Sequence, residues 1–155
     1  MGVSVDDLRC VPLLHGVSDR DLADLSTRFR ERAYDRGAPV VSRGSAGVGF
    51  FIIAEGEATV GSGSRTARLR KHDFFGDITL IDGGRRSADI TATTDLRCWG
   101  ISRSDFRKFV KEHPDVAWSL LEHLVARLRE SDLAAQNASP TTAGSRRRYL
   151  RRRPR

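Results

Sequence analysis

The middle of the chain, from Phe29 to Ser102, consists of short apolar runs separated by glycines, and this pattern constrains the fold most strongly. Each run has the length and residue types of a β-strand, and turn residues bound it. The candidate strands are Phe29–Tyr34, Pro39–Arg43, Gly49–Ile53, Ala58–Gly61, Thr66–Arg70, Ala88–Thr93 and Leu96–Ile101. Many short strands at such spacing are typical of a sandwich or barrel.

Before this β-region the apolar residues follow a helical period. Ser18 has the position of an N-cap, and Asp21 lies three residues further on, in a capping-box relation. Leu22, Leu25 and Phe29 then follow at helical spacing. We therefore expect a helix that packs its apolar face on the β-region.

After the β-region the helical period returns. Ser104 is predicted to cap a short helix, and Pro114 occupies a favourable first position of a longer one. The longer helix is expected to bury an apolar face made by Val116, Leu120, Leu121, Leu124, Val125 and Leu128. Helices on both sides of a set of short strands indicate an α+β domain.

Composition limits what the chain can be. Its 155 residues, 39% of them apolar and 30% charged, suit one globular domain. Cys10 and Cys98 form no CxxC pair, which argues against a zinc site and a disulfide scaffold. No apolar run approaches the ~20 residues of a membrane span, and the N-terminus lacks the basic start and apolar core of a signal peptide. We expect a cytoplasmic protein.

The basic charge is concentrated at one end. The chain has 27 Lys+Arg against 20 Asp+Glu, and seven arginines lie within residues 146–155. Residues 136–155 are rich in Asn, Ser, Pro, Thr, Gly and then Arg, a composition that predicts a disordered tail. The arginines either bind phosphates of nucleic acid or an acidic membrane surface, with strong salt dependence, or only keep this segment soluble.

Residues 74–92, FFGDITLIDGGRRSADITA, combine one helical turn with two arginines. The first amides of a helical turn have no partner within the helix and carry partial positive charge. Gly76 lets a ligand approach the backbone closely, and the turn that follows can bring Arg85 or Arg86 back beside those amides. Together with the Ser87 hydroxyl they form a site suited to a phosphate.

The carboxylate of Asp77 would repel a phosphate that it faced. It is better placed to accept a hydrogen bond from a neutral hydroxyl, such as a ribose 2'-OH. A phosphate together with a ribose hydroxyl indicates a nucleotide as the ligand.

The same residues resemble the phosphate-binding cassette of the cyclic nucleotide-binding domain family. The family pattern is roughly F-G-E-[LIV]-[AGST]-L, a short turn and P-R-[AST]-A. This chain has Phe75-Gly76-Asp77-Ile78-Thr79-Leu80 and then Arg85-Arg86-Ser87-Ala88. It departs from the pattern twice, since Asp77 replaces Glu and Arg85 replaces Pro.

The resemblance implies a role for each cassette residue. Arg86 would pair with the cyclic phosphate, Ser87 and the amides near Ile78 would add hydrogen bonds, and Asp77 would hold the ribose 2'-OH. In the catabolite activator subgroup a helix hydroxyl meets the purine amine, and Ser131 occupies that place. The implied ligand-binding residues are Gly76, Asp77, Ile78, Arg86, Ser87, Ala88 and Ser131.

The resemblance covers roughly Leu8 to Asp132 and implies an antiparallel β-roll of about eight strands flanked by helices. It places the domain at residues 1–135. The helix of residues 114–135 would close over the base, and in the catabolite activator subgroup it also forms a homodimer seam. The implied ligand is cAMP or cGMP, with no further cofactor.

The function that follows from the resemblance is a non-catalytic cyclic nucleotide sensor that acts on an unknown protein partner. Two alternatives remain at the level of sequence. The fold can have lost its ligand and serve as a protein-interaction domain, with Asp77 as a mark of that drift, or the arginine tail at 146–155 can contact nucleic acid. The four histidines form no HxH or HxxxH pair, so a metal site lacks its ligands.

Overall fold

The computed structural model describes residues 2–46, 49–62 and 64–138. Helices enclose eight strands in the order α1 (Val5–Arg9), a 3-10 turn (Pro12–Leu14), α2 (Asp19–Ser26), β1 (Arg30–Tyr34), β2 (Pro39–Val41), β3 (Gly49–Glu55), β4 (Ala58–Ser62), β5 (Arg65–Leu69), β6 (Phe74–Phe75), α3 (Asp77–Asp82), β7 (Asp89–Ala92), β8 (Leu96–Ser102), α4 (Arg103–Glu112) and α5 (Pro114–Ala138). The predicted antiparallel β-roll with flanking helices is confirmed. Of the eight strands, β6 was not predicted, because two residues are too few to show the alternation of apolar and polar side chains that indicates a strand.

The strands form two four-stranded antiparallel sheets, in the orders β1-β8-β3-β6 and β2-β7-β4-β5. Apart from the β4–β5 pair, neighbours in a sheet are not consecutive in sequence. Arg30 of β1 pairs with Gly100 of β8, and Pro39 of β2 pairs with Thr91 of β7. This winding brings the β6–β7 segment, which contains α3 and the two arginines, beside the start of β3.

Strand β3 is buried on both of its faces. Ile53 belongs to a core that both sheets share, made by Ile53, Ala58, Phe75, Ile90, Ala92, Leu96 and Cys98. Phe50 points to the opposite face, where its ring stacks on Phe106 of α4 at a centroid distance of 4.2 Å. Burial in the shared core raises the pKa of the Cys98 thiol to about 12.

Of the three helix starts that the sequence predicted, those of α2 and α5 agree with the structure and that of α4 does not. Ser18 caps α2, since its hydroxyl oxygen accepts a hydrogen bond from the Asp21 amide at 3.2 Å. Ser104 does not cap α4; Ser102 does, and accepts from the Asp105 amide at 3.1 Å. The prediction of Ser104 was wrong because the chain leaves β8 directly into the helix, so that the last strand residue is also the cap.

Helix α5 begins at Pro114, as predicted, and crosses from one compact unit, which ends at Leu120, into a second, which begins at Leu121. Within the first unit Val116 and Leu120 are buried, as expected. In the second unit Leu121, Val125 and Leu128 are about half exposed, so the described residues leave this part of the predicted apolar face uncovered.

None of the helices in the described ranges combines the length and apolar character that crossing a bilayer requires. The arginine run at 146–155 lies outside the described residues, so its two interpretations stay predictions.

Candidate functional site

Helix α3 lies between two glycines whose backbone is left-handed. Gly76 precedes it with φ of 93°, and Gly83 follows it with φ of 68°. A Cβ atom at Gly76 would lie 2.4 Å from the Gly49 carbonyl oxygen and 2.9 Å from Nη1 of Arg86. Glycine is therefore required at residue 76 both for its dihedral angle and for its size, and the guanidinium lies against the start of α3.

The Arg86 side chain is buried, with 8% of its surface exposed. Its Nη2 donates a hydrogen bond to the Gly49 carbonyl at 3.2 Å, and its Cζ lies 5.9 Å from the centroid of the Phe51 ring. Among the described residues, Nη1 has no hydrogen-bond partner. A buried cation with a free donor is costly unless an anion completes its shell.

Backbone pairing holds this arginine in place. The Arg86 amide donates to the Ser45 carbonyl at 2.9 Å, and its carbonyl accepts from the Gly44 amide at 2.8 Å. The neighbouring Arg85 turns outward, and its Nη1 donates to the Gly44 carbonyl at 2.8 Å. The two arginines are thus distinct: Arg86 faces the site, while Arg85 fastens the segment to the β2–β3 connection.

The electrostatics of the site are set by burial. Burial lowers the pKa of the Arg86 guanidinium, whereas the Asp77 carboxylate and Tyr34 act on that pKa in the opposite direction. Asp77 is itself buried, with 4% of its surface exposed. The site therefore carries one cation, one carboxylate and the first turn of α3, a set of groups that can hold an anion and a hydroxyl.

The structure brings together some of the predicted residues. Gly76, Asp77 and Arg86 meet at the start of α3. Ile78 is half-buried on the same turn, and Ser87 and Ala88, directly after Arg86, are exposed and half-buried respectively. Ser131 is an exposed residue of α5 in the second unit, and its contact with a purine stays a prediction.

Sequence reasoning missed the aromatic ring that packs against the Arg86 guanidinium and the glycines that make room for this ring. The Phe51 ring lies under the guanidinium, and it fits there because Gly49 and Gly100 lack side chains. A Cβ at Gly100 would lie 2.6 Å from the ring's Cε1 atom. A glycine inside a predicted strand marks a close approach, so Gly100 was the available signal.

No group of three or more His, Cys, Asp or Glu side chains within the described ranges is arranged to hold a metal ion.

A β-roll that carries a short helix and a buried arginine between two of its strands defines a class of small-molecule binding domains. The family model described as "Cyclic nucleotide-binding domain" matches residues 31–113, which is more than half of the chain. The chain belongs to the cyclic nucleotide-binding domain family.

Two curated relatives illustrate the similarity. The chain is 32% identical to the "Cyclic AMP receptor protein" of Thermus thermophilus over 128 residues, which cover 79% of this chain and 59% of the relative. It is 35% identical to a "cAMP-dependent protein kinase regulatory subunit" of Eremothecium gossypii over 108 residues, 68% of this chain and 23% of the relative. The chain thus spans only part of the length of these relatives.

Among solved structures, the Thermus thermophilus catabolite activator protein superposes with a TM-score of 0.71 at 30% identity. The match covers 81% of this chain and 62% of the other. The catabolite activator protein has the same fold class as the two-sheet roll of this chain.

Proposed function

We propose that this chain binds a purine cyclic nucleotide, cAMP or cGMP, and acts as a non-catalytic sensor. The observation that carries the proposal is Arg86, a buried cation whose Nη1 lies beside Gly76 and has no hydrogen-bond partner among the residues that the structure describes. Such a group is prepared for a phosphate, because the cost of burying it has been met by folding and the anion supplies the missing bond.

In the proposed complex the cyclic phosphate lies between Arg86 and the first turn of α3. The amide near Ile78 and the polar groups of Ser87 and Ala88 add hydrogen bonds, and Asp77 accepts one from the ribose 2'-OH. Ser131 of α5 would meet the purine amine. The relatives whose names refer to cyclic AMP or to regulation support this assignment, which extends their names to this chain.

The output is proposed to be a change in α5 that a second protein detects. Binding would shift an existing equilibrium of that helix, since a ligand acts only through its different affinity for two states. A second copy of the chain is the proposed partner along residues 114–135, and the cytoplasm is the proposed location. The regulatory names of the relatives favour a role without catalysis.

The proposal is tested by isothermal titration of the full chain with cAMP and then cGMP at physiological salt. Arg86→Met retains the volume of the side chain and removes its donors, so we expect affinity to fall about tenfold to a hundredfold. Arg85→Met is the matched control, because this adjacent arginine bonds only the Gly44 carbonyl in the described structure. The control is expected to lose much less affinity than Arg86→Met, because Arg85 fastens the segment without facing the site.

Ligand-induced thermal stabilisation provides the second measurement, since binding to the folded state raises the melting temperature. No heat and no thermal shift with either nucleotide would reject the proposed function. Equal losses in the Arg86 and Arg85 variants would reject the assignment of the phosphate to Arg86.

A further inference from the structure

Helix α3 is held at its far end by a residue that the cassette pattern does not contain. Arg103, the first residue of α4, donates a hydrogen bond from Nε to the carbonyl of Leu80 at 2.9 Å, and the bond is partly buried. Leu80 lies near the end of α3, where helix carbonyls lack partners within the helix. Arg103 therefore satisfies a carbonyl at the end of α3 that has no partner within the helix.

The same guanidinium covers the glycine that ends α3. A Cβ atom at Gly83 would lie 2.9 Å from Nη2 of Arg103 and 3.1 Å from its Cζ. Gly83 has φ of 68°, and its amide donates to the Thr79 carbonyl at 2.8 Å. A planar cation thus rests on the carbonyl end of the helix, which carries partial negative charge.

One helical turn separates this contact from the proposed phosphate site. The Leu80 amide donates to the Gly76 carbonyl at 3.0 Å, so the residue that Arg103 holds is bonded to the glycine beside Arg86. A shift of Leu80 therefore moves Gly76 and the amides that follow it.

The other side of the contact is fixed to the body of the domain. Phe106 of α4 is fully buried, and its ring stacks on Phe50 of β3. Phe109 is buried on the same face of α4. Since α3 has only six residues and α4 is packed on the sheet, the position of α3 is expected to follow that of Arg103.

We propose that Arg103 is a positioning residue for the cassette: its guanidinium sets the place of α3 and couples the occupancy of the Arg86 site to α4. The part of this inference that concerns ligand rests on the proposed function. The part that concerns α3 in the unliganded chain stands on the contacts alone.

Hydrogen exchange of the unliganded full chain tests the positioning of α3. Arg103→Met removes the donors and retains the apolar stem, so the amides of Leu80 and Gly83 should exchange about fivefold faster. Amides of β3 and β8 should keep their rates, which separates a local effect from general destabilisation. Arg107→Met, one turn further along α4 and exposed, is the control and should leave α3 unchanged.

Arg103→Lys keeps a cationic donor group but removes the planar guanidinium that covers Gly83. Arg103→Lys should therefore give exchange rates between those of the unchanged chain and Arg103→Met. Exchange in α3 that is the same in Arg103→Met and Arg107→Met would overturn the inference, whatever the titrations show.

The coupling is measured by titration with cAMP in the same variants. Arg103→Met should weaken binding about fivefold or more and should lose the ligand-induced protection of α4 amides. If the unchanged chain binds no nucleotide, the proposed function fails while the exchange result still decides the role of Arg103. Unaltered affinity and unaltered protection of α4 would reject the coupling.

Discussion

At the scale of single residues, the site depends on the buried positive charge of the Arg86 guanidinium. Burial disfavours the charged form of Arg86, and the Asp77 carboxylate offsets part of that cost. The free Nη1 is the part that remains unsatisfied by the described protein atoms. An arginine in this state is pre-organised, since its side chain is already ordered when an anion arrives.

Gly76 is predicted to be far less tolerant of a side chain than other turn glycines. Gly76→Ala places a Cβ 2.4 Å from the Gly49 oxygen at a φ of 93°. Gly37→Ala is the matched control, because Gly37 has a φ of 83° and nothing lies within 4 Å of its Cβ position. The control should cost about 1 kcal/mol from dihedral strain alone, and Gly76→Ala should cost clearly more.

Urea unfolding of both variants measures the two free energies of unfolding. Similar losses would mean that the backbone near Gly49 moves aside at little cost. Gly76→Ala should also reduce nucleotide affinity, because its Cβ would displace Nη1 of Arg86.

At the scale of elements, His113, the residue that follows α4, links this helix to α2. His113 Nε2 lies 3.3 Å from the Asp21 carboxylate, and His113 Nδ1 lies 2.9 Å from the Phe109 carbonyl oxygen. Both ring nitrogens face oxygen acceptors, one on α2 and one on α4, so the ring bridges the two helices.

This link predicts an acid-sensitive part of the stability. The pKa of Asp21 is lowered, first by the hydrogen bond from the Ser18 hydroxyl and then by His113. A carboxylate with a lowered folded-state pKa contributes stability above its unfolded pKa of about 3.9 and loses it as the pH falls through the folded pKa. Asp21→Asn should therefore be less stable than the unchanged chain at mildly acidic pH, and the difference should shrink as the pH falls below the unfolded pKa of about 3.9.

The urea midpoints of Asp21→Asn and of the unchanged chain, measured at mildly acidic pH and again at the lower pH, give this difference in stability. A difference between Asp21→Asn and the unchanged chain that stays constant across this range would assign the loss to capping geometry and not to the charge of Asp21.

At the scale of the whole molecule, α5 presents an apolar stripe that the described residues leave exposed. Leu121, Val125 and Leu128 are 52%, 48% and 62% exposed and follow each other at spacings of four and three residues. This spacing is that of the a and d positions of a coiled coil. The stripe favours a second copy of the helix as the partner in the proposed homodimer.

Light scattering after size exclusion should therefore give twice the 17.2 kDa mass of the chain. Leu121→Glu with Leu128→Glu places charges in the stripe and should give the mass of one chain. Ala126→Glu adds a charge to an exposed residue outside the stripe and should leave the dimer intact. A monomer before any substitution would reject the proposed seam.

Local pattern was enough to predict the seven longer strands and the start of α5, because turn glycines, β-branched runs and the proline at 114 act on their own neighbourhood. The local pattern left open whether Arg85 or Arg86 lies beside the start of α3, and the family resemblance assigned that place to Arg86. The two-residue strand β6 has no period of its own, and its pairing with β3 alone defines it.

The sequence by itself therefore determined the type of most elements, because these depend on contacts a few residues apart, and its cassette pattern carried the family resemblance. Tertiary structure decided which strands became neighbours, that Ser102 and not Ser104 caps α4, and that Phe51 lies beneath Arg86. It also decided that Arg103 meets Leu80, 23 residues away. Such contacts join distant segments, and their geometry follows from the packing of the whole roll and not from any local preference.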